Sequence, residues 1–200
     1  PVDPEFVELR EKWLNNLLGG TLDTGNQAVV TYITGLDEKA GEYWSSMIKS
    51  DDASRTNLWS DLDMSYIAGT GAKAKVHSGN VAQTFYRLKD MAIAWATEGC
   101  VLYQNDELKE ELIRALDFMN ENHYSSSDDK TPFFGNWWHW EIGGPIAFMD
   151  TALILYDDLT LKQITNYAAA VNRFTNVCDK PSGYPGSPAM TGANLIDKGM

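Results

Sequence analysis

The sequence predicts an all-α fold, and three observations carry that prediction. Apolar residues recur at three- and four-residue steps in one stretch after another. No segment sustains the period-two alternation of a half-buried strand. No GxxxxGK[ST] or GxGxxG phosphate loop marks the strand-turn-helix units of an α/β fold. Successive antiparallel helices, each with one apolar face and joined by loops of moderate length, fit a bundle or a helical toroid. Periodicity does not separate the two.

The first stripe is Phe6, Leu9, Trp13, Leu14, Leu17 and Leu18, and it stops at Gly19-Gly20. The second runs through Val29, Val30, Ile33, Leu36, Ala40, Tyr43, Trp44 and Met47 to a polar break at Asp51-Asp52. Residues 55–75 are less regular, with Leu58-Trp59 and Leu62 fitting a short helix before the Gly69-Thr70-Gly71 turn. From Ser78, the residues Val81, Phe85, Leu88, Met91, Ala92 and Trp95 mark a third long helix. Asp106 reads as the N-cap of a fourth, whose face carries Leu108, Leu112, Ala115, Leu116 and Met119. A polar loop from His123 to Gly135 leads to a fifth helix opening at a tryptophan cluster, where Pro145 interrupts the helix or fixes its first turns. Thr160 caps a sixth, with Leu161, Ile164, Tyr167, Ala168 and Val171 on its face. From Cys178 to Pro188, repeated Pro and Gly forbid regular structure.

Two hundred residues, 44% hydrophobic and 22% charged, can bury one substantial core, so one domain or part of one is expected. The formal net charge of −12 argues against nucleic acid as a partner, because phosphate binding needs clustered Lys and Arg. The acidic total does not exclude an anionic substrate, since a cleft can be locally basic. Cys100 and Cys178 lack the spacing of a zinc site, and either two thiols or one disulfide fits them. No apolar run is long enough to span a bilayer. The chain opens on Pro1-Val2 with neither an initiator methionine nor a signal peptide, as a processed secreted chain or a trimmed one would.

The run from Asn136 to Pro145 concentrates chemistry. Three of the seven tryptophans, Trp137, Trp138 and Trp140, stand within four positions, beside Asn136, His139 and Glu141. Adjacent residues on a helix point about 100° apart, so Trp137 and Trp138 cannot both follow one narrow apolar stripe. At least one is expected to face a cleft. Flat indoles beside polar groups suit sugars, whose apolar ring faces stack while their hydroxyls and carboxylates seek hydrogen bonds. A helix start packed on every side is the alternative.

The same run, followed by Met190-Thr191-Gly192-Ala193-Asn194-Leu195-Ile196-Asp197-Lys198, resembles the helical domain of polysaccharide lyase family 8, which cleaves hyaluronate, chondroitin and xanthan. Residues 54–59 (Ser-Arg-Thr-Asn-Leu-Trp), 87–92 (Arg-Leu-Lys-Asp-Met-Ala) and 102–105 (Leu-Tyr-Gln-Asn) resemble family landmarks, in family order. The resemblance implies an incomplete α/α toroid, of which residues 1–200 form the N-terminal part, with the rest of the toroid and β-sandwich domains following in full-length members. It also implies a secreted enzyme acting on an anionic polysaccharide without a cofactor or a metal in this part of the protein.

The implied reaction is β-elimination beside a uronic acid. The C5 proton is barely acidic while the neighbouring carboxylate is ionised, so charge must be drawn onto the carboxylate and a base supplied. On the family pattern, Asn194 hydrogen-bonds that carboxylate as the catalytic amide, a donor that does not titrate. Such donors are commonly worth about 2.7 to 4 kcal/mol. Trp137 and Trp138 map to the family's aromatic patch, with Asn136 hydrogen-bonding beside them. Trp140 and Glu141 complete the expected substrate-binding set. His139 reads as a variable position tuned to substrate, and the His139-Trp140 pairing leans toward xanthan-type members. The family's catalytic histidine and tyrosine lie downstream of the Thr-Gly-Ala-Asn stretch, and neither His77 nor His123 matches them, so the chain alone is expected to be inactive. Two other readings compete: a toroid hydrolase using Glu141 with an Asp such as Asp150, and a noncatalytic glycan-binding helical domain.

Overall fold

A computed structural model describes residues 4–52, 54–127 and 132–175. Among these are six α-helices and no strand: α1 Pro4–Leu18, α2 Gln27–Ser46, α3 Ala72–Ala96, α4 Asp106–Asn122, α5 Gly144–Ile154 and α6 Leu161–Thr175. A π-helical turn, His139–Gly143, runs directly into α5. All six expected helices are present, and the differences lie at their edges and between them.

Helix α3 makes its broadest contact with α5 and the next with α2, while α4 lies against α6. Contacts that skip one helix in sequence set helix pairs side by side in an arc. The seam between α3 and α5 is aromatic. Phe85 stacks on Phe148 with ring centres 4.8 Å apart, and Tyr124 stands edge-on to both. No residue of α1 is buried. It docks through Leu14 and Leu18, through the Arg10 guanidinium 4.0 Å over the Tyr156 ring, and through the Trp13 indole N–H, which donates to Asp150 at 2.8 Å.

The short helix expected near Leu58 does not form. Leu58, Trp59, Leu62 and Met64 are buried as expected of an apolar run, but the chain around them is a series of turns. Tertiary hydrogen bonds replace the helical ones: Ile48 N–H donates to the Leu58 carbonyl at 2.9 Å, Trp59 Nε1–H to the Tyr43 carbonyl at 3.0 Å, and Met64 N–H to Asn57 Oδ1 at 3.1 Å. The Arg87 guanidinium holds Asp61 with both arms and covers Trp59 and Tyr43.

Helix α3 begins at Ala72, ahead of Ser78: the residues its first turns bury, Ala74, His77 and Ser78, are small or polar and make no apolar stripe. The cap of α4 is Asn105, whose Oδ1 accepts from Leu108 N–H at 2.8 Å. Asp106, expected there, is instead the first helical residue, where its charge meets the positive end of the helix dipole. Thr160 caps α6 as expected, in a reciprocal box with Gln163: Gln163 N–H donates to Thr160 Oγ1 and Thr160 N–H to Gln163 Oε1. Pro145 starts α5 rather than interrupting it. The π-turn before it pairs Gly144 N–H with the His139 carbonyl, so the proline ring meets no tight helical turn.

Two predictions follow from this packing. The Arg55–Glu111 ion pair, 2.7 Å long and enclosed, also takes the Ser50 hydroxyl at 2.5 Å. Glu111→Ala leaves Arg55 buried without its countercharge and is expected to cost about 3–5 kcal/mol in urea unfolding, while Lys12→Ala, at an exposed pair on α1, leaves the midpoint where it was. Burial holds the His123 imidazole below the ordinary histidine range, against a raising contribution from its contact with the Thr56 carbonyl. The unfolded chain therefore takes up this proton first as pH falls below about 6.5, and stability declines from there down to the folded-state pKa. Unfolding curves of wild type and His123→Gln across that window should converge as the pH drops; parallel curves would contradict the assignment.

Candidate functional site

The tryptophan turn is built on α3. Gly135, at φ +71°, donates its N–H to the Gly69 carbonyl at 2.8 Å and passes so close to Ser78 and the Ala74 carbonyl that a Cβ would overlap both. Only glycine fits this conformation and this clearance. Asn136 N–H then donates to Ser78 Oγ at 3.1 Å. Asn136 Oδ1 accepts from Trp138 N–H at 3.2 Å, so the side chain opens the helical turn as a cap. Its amide NH2 is the part not used by that cap.

Beyond Asn136 the turn sorts its side chains. Trp137 is half-buried and Trp138 is 39% exposed, whereas Trp140 and Glu141 are 2% and 1% exposed. Trp140 N–H, on the indole, donates to the Phe134 carbonyl at 2.8 Å, and its ring lies against Tyr124 and Phe174. The Tyr124 hydroxyl donates to the Trp140 carbonyl at 2.7 Å. Trp140 and Glu141, expected to touch substrate, are thus core positions here. Both faces of an indole are needed for packing where it is enclosed, and none is left to stack on a sugar. One edge of Trp140 borders a small pocket of about 120 Å³ shared with Tyr66 and His123.

Trp138 leans back over the start of α5. Its six-membered ring and the hydroxyl of Tyr86, from α3, both crowd Gly143, where a Cβ would collide with each. The His139 ring stands edge-on to Trp138 at 5.6 Å and rests over Gly79 of α3. Burial depresses the basicity of His139, and its Nδ1 has no hydrogen-bond partner among the described residues. Protonation would place a second N–H in a site without an acceptor, so the imidazole stays neutral at pH 7.

The structure therefore brings together Asn136, Trp137 and Trp138 on one turn and adds Tyr86, which the sequence reading missed. The signal for Tyr86 was weak: a large aromatic one place off the Val81, Phe85, Leu88 stripe. Asn194 and Cys178 lie outside the described residues, and Cys100 is buried, its thiol pushed up to about 11 by burial and the nearby Asp37 carboxylate. Asp150, the second carboxylate of the hydrolase reading, ties α1 and α3 to α5 through Trp13 and through Lys89 at 3.6 Å. Burial raises its pKa. Both carboxylates are buried, Asp150 at 2% and Glu141 at 1% exposure. A cavity of about 660 Å³ lies elsewhere, between the end of α1 and the end of α3, and holds none of these residues. No helix among the described residues is long and apolar enough to cross a membrane.

Comparison with known proteins bears on what this turn belongs to. The chain is 36% identical over 172 residues to a xanthan lyase of Bacillus sp. (strain GL1) and 32% identical over 185 residues to the hyaluronate lyase HylB of Enterococcus faecalis. These alignments cover 86% and 90% of this chain. The chain spans only 17% of the length of either relative. The solved structure of a Paenibacillus xanthan lyase superposes with a TM-score of 0.75 at 35% identity, over 88% of this chain and 16% of that one. A Streptomyces coelicolor A3 chondroitin AC lyase in complex with chondroitin sulphate gives 0.73 at 25% identity, over 86% and 21%. The helix pairs are accordingly an arc of the α/α toroid of these lyases. Residues 13–200 match the family model for the N-terminal α-helical domain of polysaccharide lyase family 8, and the chain belongs to that family.

Proposed function

We propose that this chain supplies one wall of the cleft of a secreted lyase that breaks a uronate-containing polysaccharide by β-elimination. The observation that carries this reading is Trp138, 39% exposed on a turn whose neighbour Trp140 is locked inside, in a chain of this family. A half-exposed indole held by a rigid frame offers a flat apolar face without loss of side-chain entropy on binding. In this reading Trp138, with Trp137 beside it, stacks on sugar rings, and the Asn136 amide donates to a sugar oxygen. Asn194 hydrogen-bonds the uronate carboxylate and stabilises the charge that develops on it. Trp140 and Glu141 hold the turn from within. Proton transfer is left to residues outside this chain, since His139 is neutral, enclosed on one side and off the expected position. The relatives' names support a uronate polymer of the xanthan, hyaluronate or chondroitin kind.

Three measurements test this. In the intact protein, Asn194→Ala should lower kcat by about 100- to 1,000-fold, with the thermal midpoint unchanged; full turnover in that variant would remove the carboxylate role. The purified 200-residue chain should release no ultraviolet-absorbing unsaturated uronate, and a clear rise in absorbance would show that it carries the proton-transfer groups itself. Offered xanthan, hyaluronate and chondroitin sulphate, the intact enzyme should cleave xanthan fastest, as the His139-Trp140 pairing and the xanthan lyase relative favour.

A further inference from the structure

Tyr86 follows Phe85 on α3, so its ring leaves the helix about 100° round from the buried stripe and toward the tryptophan turn. There its hydroxyl oxygen and Cζ3 and Cη2 of Trp138 crowd the same spot, the place a Cβ of Gly143 would take, so the missing side chain lets both come close. The hydroxyl has no hydrogen-bond partner among the described residues, and it is not sealed from solvent. A hydroxyl placed only for packing is usually paired, and phenylalanine would fill the same space. Partial burial raises the phenol pKa, so the group is neutral at pH 7 and able both to donate and to accept.

The position gives this hydroxyl a use. A sugar stacked on an indole turns its ring face to the aromatic surface and projects its equatorial hydroxyls sideways, around the rim of the platform. The Tyr86 oxygen stands at that rim, beside the benzo edge of Trp138. We propose that the Tyr86 hydroxyl hydrogen-bonds an oxygen of the sugar seated on Trp138, making Tyr86 a substrate-binding residue that orients this sugar on the platform. The inference rests on the stacking role of Trp138 proposed above. Stacking alone is tolerant of rotation about the ring normal, and one polar contact at the rim removes that freedom.

The test uses the intact protein, with Tyr86→Phe, Gly143→Ala and Trp138→Ala compared on whichever of xanthan, hyaluronate and chondroitin sulphate it cleaves fastest. Tyr86→Phe removes one oxygen and keeps the ring, so it should raise KM about 3- to 10-fold, the worth of one net hydrogen bond. It should leave kcat and the thermal midpoint unchanged, as loss of uniform binding does. A merely structural role for Tyr86 would leave KM where it was. Gly143→Ala, which forces the phenol and indole apart, should raise KM at least as much. If Trp138→Ala raises KM while Tyr86→Phe does not, the Tyr86 inference is overturned and the platform stands. If Trp138→Ala has no effect on KM, or none of the three polymers is cleaved, the platform reading fails and the Tyr86 inference with it.

Discussion

Trp140 is the pin on which the presentation of the site depends. Its indole N–H reaches back to the Phe134 carbonyl and its own carbonyl receives the Tyr124 hydroxyl, so the residue is tied to the loop before it and to the end of α4. Its ring also fills the space between Tyr124, Phe134 and Phe174. Once that side chain faces inward, helical geometry sends Trp138, two residues earlier, about 200° round the axis and out of the core. The outward platform is thus a consequence of the inward anchor. Three tryptophans in four positions divide the work between core and surface, which is why so dense a cluster folds without exposing all of them.

The same constraint explains the π-turn. A regular helix from Trp137 through Pro145 would press the proline ring against the carbonyl four residues back. Widening the turn to the Gly144-to-His139 hydrogen bond relieves that contact, and Gly143 and Gly144 let α3 close against the widened stretch. At Gly144 a Cβ would stand 2.5 Å from the His139 carbonyl oxygen, so the widened turn itself leaves no room for a side chain there. Such turns often mark functional sites, and the one among the described residues carries the residues of the candidate site.

Most of the fold was legible because it rests on local periodicity. The stripes of α3 and α4 coincide with buried residues such as Phe85 and Leu112, whereas that of α6 is buried at Tyr167 and Val171 but leaves Leu161 78% exposed. The stretch from Asn57 to Met64 was not legible, because its apolar spacing suits a short helix and only distant partners, Tyr43, Ile48 and Arg87, decide otherwise. The cluster announced an aromatic site, but the sorting of Trp140 into the core depends on Tyr124 and Phe174, which no spacing rule connects to it. Tyr86 was hidden for a similar reason. Its proximity to Trp138 is made by the α3–α5 seam and by the absence of a side chain at Gly143, neither of which is written into one segment.

The charge distribution adds a last step. Arg55, Arg87, Lys39, Lys89, Lys109 and Arg114 each have a carboxylate partner within this chain, in keeping with its net charge of −12. Cations spent on internal pairs do not reach out to a polyanion. The groups collected at the tryptophan turn are instead neutral: two indoles, an amide and a phenol. In the proposed function, a wall of this kind would recognise what uronate polymers share with uncharged ones, the ring faces and the hydroxyls. There it would set position and orientation, and the recognition of negative charge would fall to Asn194 and to other parts of the cleft.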